Sequence, residues 1–290
     1  MKPAPFEYRA PEDLDEALAV LAERGDEAKV LAGGQSLVPM LALRLTSFEC
    51  LVDIGRVAEL QGARREDGVL VVGAGTVDAA VGADPAVAAS VPLLAEATPL
   101  IGHFQIRNRG TIGGSLAHAD PAAEYPAVAL ALDAELEVAS AAGRRVVPAA
   151  EFFEGTWTTA LEGDEILTAA RFSVWEGRCG FAVEELARRH GDFAVAGAAG
   201  GVALDPDGTV VRCAVALIGM ESTPVRAWRA EAALVGTSPG PAEVVEAAQL
   251  AVDGIDPPAD VHGSGAYRKK VGAEMVRRML TRALEEAARV

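Results

Sequence analysis

Two pentapeptides decide how this chain is read: Ala32-Gly33-Gly34-Gln35-Ser36 and Thr111-Ile112-Gly113-Gly114-Ser115. The first follows Lys29-Val30-Leu31, a short strand by its apolar pattern. It precedes Leu37 to Leu45, a helix with Ser36 as its N-cap and Pro39 in the first turn. Paired glycines let the backbone come close to a ligand and turn N–H groups outward. A helix start beside them adds unsatisfied donors and a favourable dipole for phosphate oxygens. Gln35, Ser36, Thr111 and Ser115 contribute short polar side chains. One Gly-Gly turn is most simply a turn. Two of them, flanked by hydroxyl or amide residues, predict one ligand with two phosphates gripped from two lobes.

A third glycine turn competes. Val69-Leu70-Val71-Val72-Gly73-Ala74-Gly75 is a strand running into Gly-x-Gly, but position 78 is Asp78 where a dinucleotide fingerprint needs glycine. A carboxylate there opposes a pyrophosphate, so this stretch is expected to be strand, turn and helix cap only.

Working outward, residues 1–55 form a strand–helix–strand–helix–strand lobe. Asp13 caps a helix that carries Leu14, Ala17, Leu18 and Leu21 on one face and stops at Gly25, and 50–54 is a strand. Residues 85–100 read as a helix broken at Val91-Pro92, and 103–115 as loop. A helix from Asp120 to Leu132 has Pro126 as a kink or restart. Strands are expected at 135–139, 145–147, 165–172, 181–186, 195–204 and 210–218, then helices at 226–235, 241–252 and 267–288. Strands grouped before helices argue for an α+β chain. The boundary is placed at 176/177, giving a first domain of two lobes (about 1–55 and 56–176) and a smaller unit, 177–290.

The 290 residues carry a net charge of −16, which argues against nucleic acid and anionic membrane as partners. Residues 1–176 hold 13 basic and 27 acidic side chains, a net of −14, against −2 for 177–290. Cys50, Cys179 and Cys213 fit no metal spacing and are expected to be reduced thiols. No signal peptide and no uninterrupted apolar span is visible, so a cytoplasmic location is expected. There is no Gly-x-Ser-x-Gly elbow, His-Glu-x-x-His or phosphate-loop lysine. His118-x-Asp120 is a close histidine–carboxylate pair, and it is read as part of a polar loop.

With AGGQSLVPMLALRL and TIGGSLAHADPAAE together, the chain resembles the FAD-binding medium subunits of the molybdenum hydroxylases. That family includes aerobic carbon monoxide dehydrogenase and the dehydrogenases of xanthine, aldehydes and N-heterocycles of the nicotine and nicotinate type. PAPFEYRAPEDLDEALAVLAE, FFEGTWTTALEGDEILTAARF, ELARRHGDFAVAGAA and AYRKKVGAEMVRRML extend the resemblance over nearly the whole chain. It implies a two-lobed FAD-binding domain of the vanillyl-alcohol-oxidase type, then a C-terminal α+β domain with a three-stranded sheet and helices.

The resemblance also assigns residues. Ala32 to Ser36 and Thr111 to Ser115 would carry the pyrophosphate and ribityl contacts, with Leu31 and Leu37 flanking the first loop. Ile101 and Leu167 would pack near the flavin or adenine rings. Asp120 and Glu124 would stand on the flavin side. Phe193 would lie near the isoalloxazine, where carbon monoxide enzymes carry tyrosine; read without the resemblance, Phe193 is a core aromatic. No catalytic or metal-ligating side chain is expected.

FAD would relay electrons from [2Fe–2S] clusters to a quinone, NAD or oxygen. An iron–sulfur small subunit and a molybdopterin large subunit would hold those other groups, in a dimer of heterotrimers. The weakly charged 177–290 region is expected to dock them. Carbon monoxide dehydrogenase is the leading substrate label, and xanthine, aldehyde or N-heterocycle dehydrogenases are the alternative. A self-sufficient flavin oxidase and a flavin-free adaptor are the readings of another class.

Overall fold

In the computed structural model, which describes residues 2–290, the N-terminal lobe is a three-stranded parallel sheet with two helices. Its elements are β1 (Glu7–Arg9), α1 (Leu14–Arg24), β2 (Ala28–Leu31), α2 (Leu37–Ala42) and β3 (Cys50–Asp53), with β3 central. Asp13 caps α1 by accepting from the Glu16 N–H at 2.8 Å, and Leu14, Ala17, Leu18 and Leu21 are buried as their spacing predicts. α2 is shorter than expected. Arg44 enters the left-handed region (φ 59°), and Leu45 N–H bonds back to Met40 O, so the chain turns off before Leu45.

The second lobe follows as β4 (Ala63–Glu66), β5 (Val69–Gly73), α3 (Asp78–Ala83), α4 (Pro85–Ser90), α5 (Pro92–Ala97), α6 (Phe104–Arg107), α7 (Ile112–His118) and α8 (Glu124–Ala131). Then come β6 (Glu135–Ser140), β7 (Gly143–Pro148), α9 (Ala149–Phe152), β8 (Phe153–Gly155), β9 (Thr158–Thr159) and β10 (Ile166–Ser173). Five strands form an antiparallel sheet in the order β4-β5-β10-β6-β7. Pro92, which has no N–H to donate, separates α4 from α5 as expected.

Two expectations are corrected in this lobe, and one strand is added to it. Residues 103–115 are not all loop, because α6 forms a single turn within them and α7 already begins at Ile112. β4 has the sequence Ala-Arg-Arg-Glu, with no apolar pattern; pairing with β5 alone makes it a strand. The helix expected from Asp120 begins at Glu124, since Asp120 Oδ1 accepts the Ala122 N–H at 2.9 Å and holds 120–123 as a turn. Pro126 therefore lies in the first turn of α8, where its missing N–H costs nothing.

The remainder is β11 (Arg178–Leu186), β12 (Ala196–Leu204), β13 (Val210–Ile218), β14 (Val225–Arg226), α10 (Trp228–Leu234), α11 (Pro241–Val252) and α12 (Gly265–Arg289). The three long antiparallel strands are the expected ones, and two-residue β14 adds a short fourth at the edge. β12 is Ala-Gly-Ala-Ala-Gly-Gly-Val-Ala-Leu and buried throughout, because helices cover both faces. On one side α12 packs so closely that a Cβ at Gly180 would lie 2.6 Å from Ala287 N. On the other, Phe181, Val183, Ala199, Ala214, Ala216 and Ile218 continue the core of the second lobe.

The seam near residue 176 is thus spanned by apolar packing. Polar ties reinforce it. Arg226 bonds Leu130 O at 2.7 Å and Asp133 Oδ1 at 2.9 Å, and Arg282 pairs with Glu96 at 2.6 Å. No helix among the described residues is long and apolar enough to cross a membrane.

Candidate functional site

The two glycine pentapeptides meet. α2 and α7 belong to different lobes, yet a Cβ at Gly114 would lie 3.5 Å from Ala32 Cβ, an ordinary contact between the loops. Gly33 lies against the Arg109-Gly110 backbone so tightly that a Cβ would stand 2.7 Å from Gly110 Cα and overlap Arg109 O. Gly34 occupies the left-handed region (φ 72°) with Leu31 Cδ1 and Val38 Cγ2 packed beneath it.

The loops differ in what they offer a ligand. Among the described residues, the backbone N–H groups of Gly33, Gly34, Gln35 and Ser36 donate to no protein acceptor. Gln35 folds back, its Nε2–H donating to Gly33 O at 2.9 Å. Ser36 makes no capping bond, which corrects its expected role as N-cap; it already has helical backbone (φ −101°, ψ −49°), so its hydroxyl does not reach back over the first turn.

Four successive unbonded donors on a half-buried loop form an anion-binding concavity. They suit a pyrophosphate, and a Cβ at Gly34 would strain the loop that presents them, through its positive φ and a 3.0 Å approach to Val38 Cγ2. In the second loop the donors are used internally: Ile112 N–H to Thr76 O (3.1 Å), Gly113 N–H to Ala74 O (2.9 Å), Gly114 N–H to Thr111 Oγ1 (3.0 Å) and Ser115 N–H to Thr111 O (3.0 Å). Two equal phosphate grips are therefore not what the chain builds. Thr111 caps α7, Ile112 fills the core, and the faces left open are those of Gly114 and Ser115.

The Gly73-Ala74-Gly75 turn is the platform for this arrangement. Gly113 sits directly on Ala74, where a Cβ would approach Ala74 O to 2.5 Å. The turn holds α7 and presents no donors of its own, since Gly75 N–H bonds Leu60 O at 2.8 Å.

The other expected site residues distribute as follows. Leu31, Leu37 and Ile101 are half-buried; Ile101 belongs to a turn that Arg107 holds by bonding the carbonyls of Ile101 and Gly102 at 2.9 and 2.8 Å. Leu167 is 5% exposed and lies in the main core. Phe193 is 61% exposed, so it is not a core aromatic. Its turn packs on the Ile101 turn, with the His103 and His190 rings 6.5 Å apart. Asp120 and Glu124 bracket the turn before α8, and Glu124 is only 5% exposed.

Electrostatics here are dominated by burial. Loss of hydration raises Glu124 to about 8, with the facing Glu185 of β11 adding to the effect. Burial also raises Glu185 and Asp78 to about 7 each. Glu185 Oε2 and Asp78 Oδ1 have no hydrogen-bond partner. His118, the last residue of α7, is held below its usual value by burial. Sequence reasoning missed Glu185 and undervalued Asp78. Neither has a local signal, because it is packing of β11 and α3 against other elements that strips them of water.

These shifts fix a pH dependence. The folded carboxyls keep protons that the unfolded chain releases above the ordinary carboxylate values of 3.8 for Asp and 4.5 for Glu. Stability of the FAD-free chain therefore falls as pH rises from there through about 8. Glu124→Gln is expected to raise the unfolding free energy at pH 8 by on the order of 1–3 kcal/mol and to change it little at pH 5. Urea titrations at the two pH values check this; an equal effect at both would mean that Glu124 is ionised when buried.

Comparison with known proteins shows the family of the chain. Residues 4–174 match a family described as FAD binding domain in molybdopterin dehydrogenase, and residues 181–283 match CO dehydrogenase flavoprotein C-terminal domain. The chain is 42% identical to the 6-hydroxypseudooxynicotine dehydrogenase complex subunit alpha of Paenarthrobacter nicotinovorans, covering 99% of this chain and 97% of that one. It is 40% identical to the carbon monoxide dehydrogenase medium chain of Hydrogenophaga pseudoflava, covering 99% and 100%. A solved structure of carbon monoxide dehydrogenase from the same organism, lacking the Mo-pyranopterin moiety, superposes with a TM-score of 0.96 at 42% identity, with 99% of each chain covered.

Proposed function

Since the chain belongs to the FAD-binding medium subunits of the molybdenum hydroxylases, we propose that it relays electrons within a complex whose iron–sulfur and molybdopterin groups lie on two other subunits, assembled as a dimer of heterotrimers. The supporting observation is the row of unbonded N–H groups at Gly33 to Ser36, placed against the start of α7 from the other lobe. The cradle fits the cofactor that the family binds. Bound FAD supplies reversible uptake of electrons, from [2Fe–2S] clusters to a quinone, NAD or oxygen.

The chain's own residues bind and orient. Gly33, Gly34, Gln35 and Ser36 hold the pyrophosphate through the backbone. Ala32 and Gly114 set the gap between lobes, with Ser115 and Thr111 beside it. Leu31, Leu37, Ile101 and Leu167 supply apolar walls, while Ile112 and Gly113 brace α7. Asp120 and Glu124 stand on the flavin side, and Phe193 offers an open ring near the isoalloxazine. Residues 1–176 and 177–290 serve as cofactor domain and docking domain, in a cytoplasmic complex.

Substrate activation is assigned to the molybdopterin subunit. Carbon monoxide is the leading substrate. The 42% identity to a subunit acting in 6-hydroxypseudooxynicotine oxidation supports an N-heterocycle as the second reading.

The isolated chain with bound FAD is expected to show no bleaching with carbon monoxide or N-heterocycles and immediate bleaching with dithionite. Adding both missing subunits should restore bleaching by one substrate. Turnover by the lone chain would instead establish a self-sufficient oxidase.

A further inference from the structure

The tight turn between β8 and β9 holds a strained tryptophan. Trp157 has a φ of 58° and donates its backbone N–H at 3.2 Å to the carbonyl of Ala119, whose own φ is 51°. Left-handed backbone is unfavourable for any residue with a Cβ and persists where the surroundings over-determine it. The side chain is held as firmly. Its indole Nε1–H donates to Asp120 Oδ2 at 3.2 Å, and its plane lies 12° from the His118 imidazole with centroids 6.2 Å apart. Thr156, next in the turn, donates its hydroxyl to Ser222 O of the C-terminal domain at 3.3 Å.

Despite these ties, Trp157 is 60% exposed. Burial therefore does not explain its confinement, as it would for a core indole. The exposed Trp228 differs, because the guanidinium of Arg226 covers its ring at 4.4 Å. Trp157 keeps one face against His118 and leaves much of its surface open.

The location gives this a meaning. α7 is seven residues long, about 10 Å at 1.5 Å per residue. Its first turn meets Ala32, where the Gly33 to Ser36 loop begins, and its last residue is His118. A dinucleotide with its phosphates in that loop and one arm running along α7 brings a planar ring to the His118 end. We propose that Trp157 is a cofactor-positioning residue: its indole, steered by Asp120 and backed by His118, stacks on a planar ring of the FAD. This rests on the site reading given above.

The test titrates FAD into the full chain stripped of flavin. Trp157→Ala is expected to weaken binding about tenfold, while Trp157→Phe, which keeps a ring and loses the indole N–H, loses about threefold. Combining Trp157→Phe with Asp120→Ala should weaken binding no further than Asp120→Ala alone, because each change removes the same indole–carboxylate bond. A shifted visible flavin band in Trp157→Ala would identify the isoalloxazine as the stacked ring, and weakened binding with an unshifted band would identify the adenine. A merely structural role would lower the FAD-free melting temperature and leave the affinity of the folded chain unchanged, which would overturn the proposal. Gly114→Val is the parallel control. If it loses FAD while Trp157→Ala keeps wild-type affinity, the stacking role alone fails; if Gly114→Val keeps FAD, the site reading itself fails.

Discussion

Gly114→Val is expected to give a folded chain that binds FAD at least a hundredfold more weakly, about 2.7 kcal/mol. The first atom added at this position meets Thr111 Oγ1 at 2.8 Å and Ala32 Cβ at 3.5 Å. The first contact perturbs the hydroxyl that caps α7, a cost of about 1 kcal/mol. Valine's better helix propensity than glycine's partly offsets it. The second contact is ordinary, so the lobes need not separate. The two methyl groups then have only the gap between the loops to enter, which is where the cofactor's phosphates are assigned. Purification without flavin colour, unchanged circular dichroism and a near-normal melting temperature make up the expected result. Stoichiometric FAD in the purified variant would remove the cradle from its assigned place.

Gly33→Ala should behave differently, although it lies in the partner loop. Its Cβ would overlap Arg109 O and sit 2.7 Å from both Arg109 C and Gly110 Cα. Those atoms are backbone and cannot rotate away. Gly110 is itself tied to the second lobe, its O accepting from Asp78 N–H at 2.9 Å and its N–H donating to Ile106 O at 2.7 Å. One methyl group therefore pushes the lobes apart, at about 3 kcal/mol for overpacking a rigid contact. The FAD-free variant should unfold at clearly lower urea than the wild type, besides losing FAD. Wild-type stability without FAD binding would show that the lobes do not meet at Gly33. The two glycines thus separate by measurement: one variant loses the ligand and the other loses the framework as well.

Much of this was legible in the chain. The α1 face, the break at Pro92, the three long C-terminal strands and the long final helix follow from periodicity, caps and breakers, which act within a few residues. The family, and with it FAD, was legible from the two glycine pentapeptides taken together. What could not be read locally are features made by distant partners. β4 is a strand only because β5 offers it a ladder. Phe193 reads as a core residue from its apolar side chain, yet its turn leaves it open.

The sequence by itself determined which residues could line a cradle: glycines at 33, 34, 113 and 114, with small polar neighbours. Only the tertiary structure decided which of them keep backbone N–H groups unbonded. Gly33 and Gly113 are glycine because protein backbone passes within contact distance, at Arg109 and at Ala74. The N–H groups of the second loop were equally available by sequence, but the Gly73-Ala74-Gly75 turn and Thr111 take them, leaving those of the first loop free. A backbone donor makes one good bond, and which acceptor it meets is set by how the two lobes pack, a property of the whole fold that no five-residue window contains.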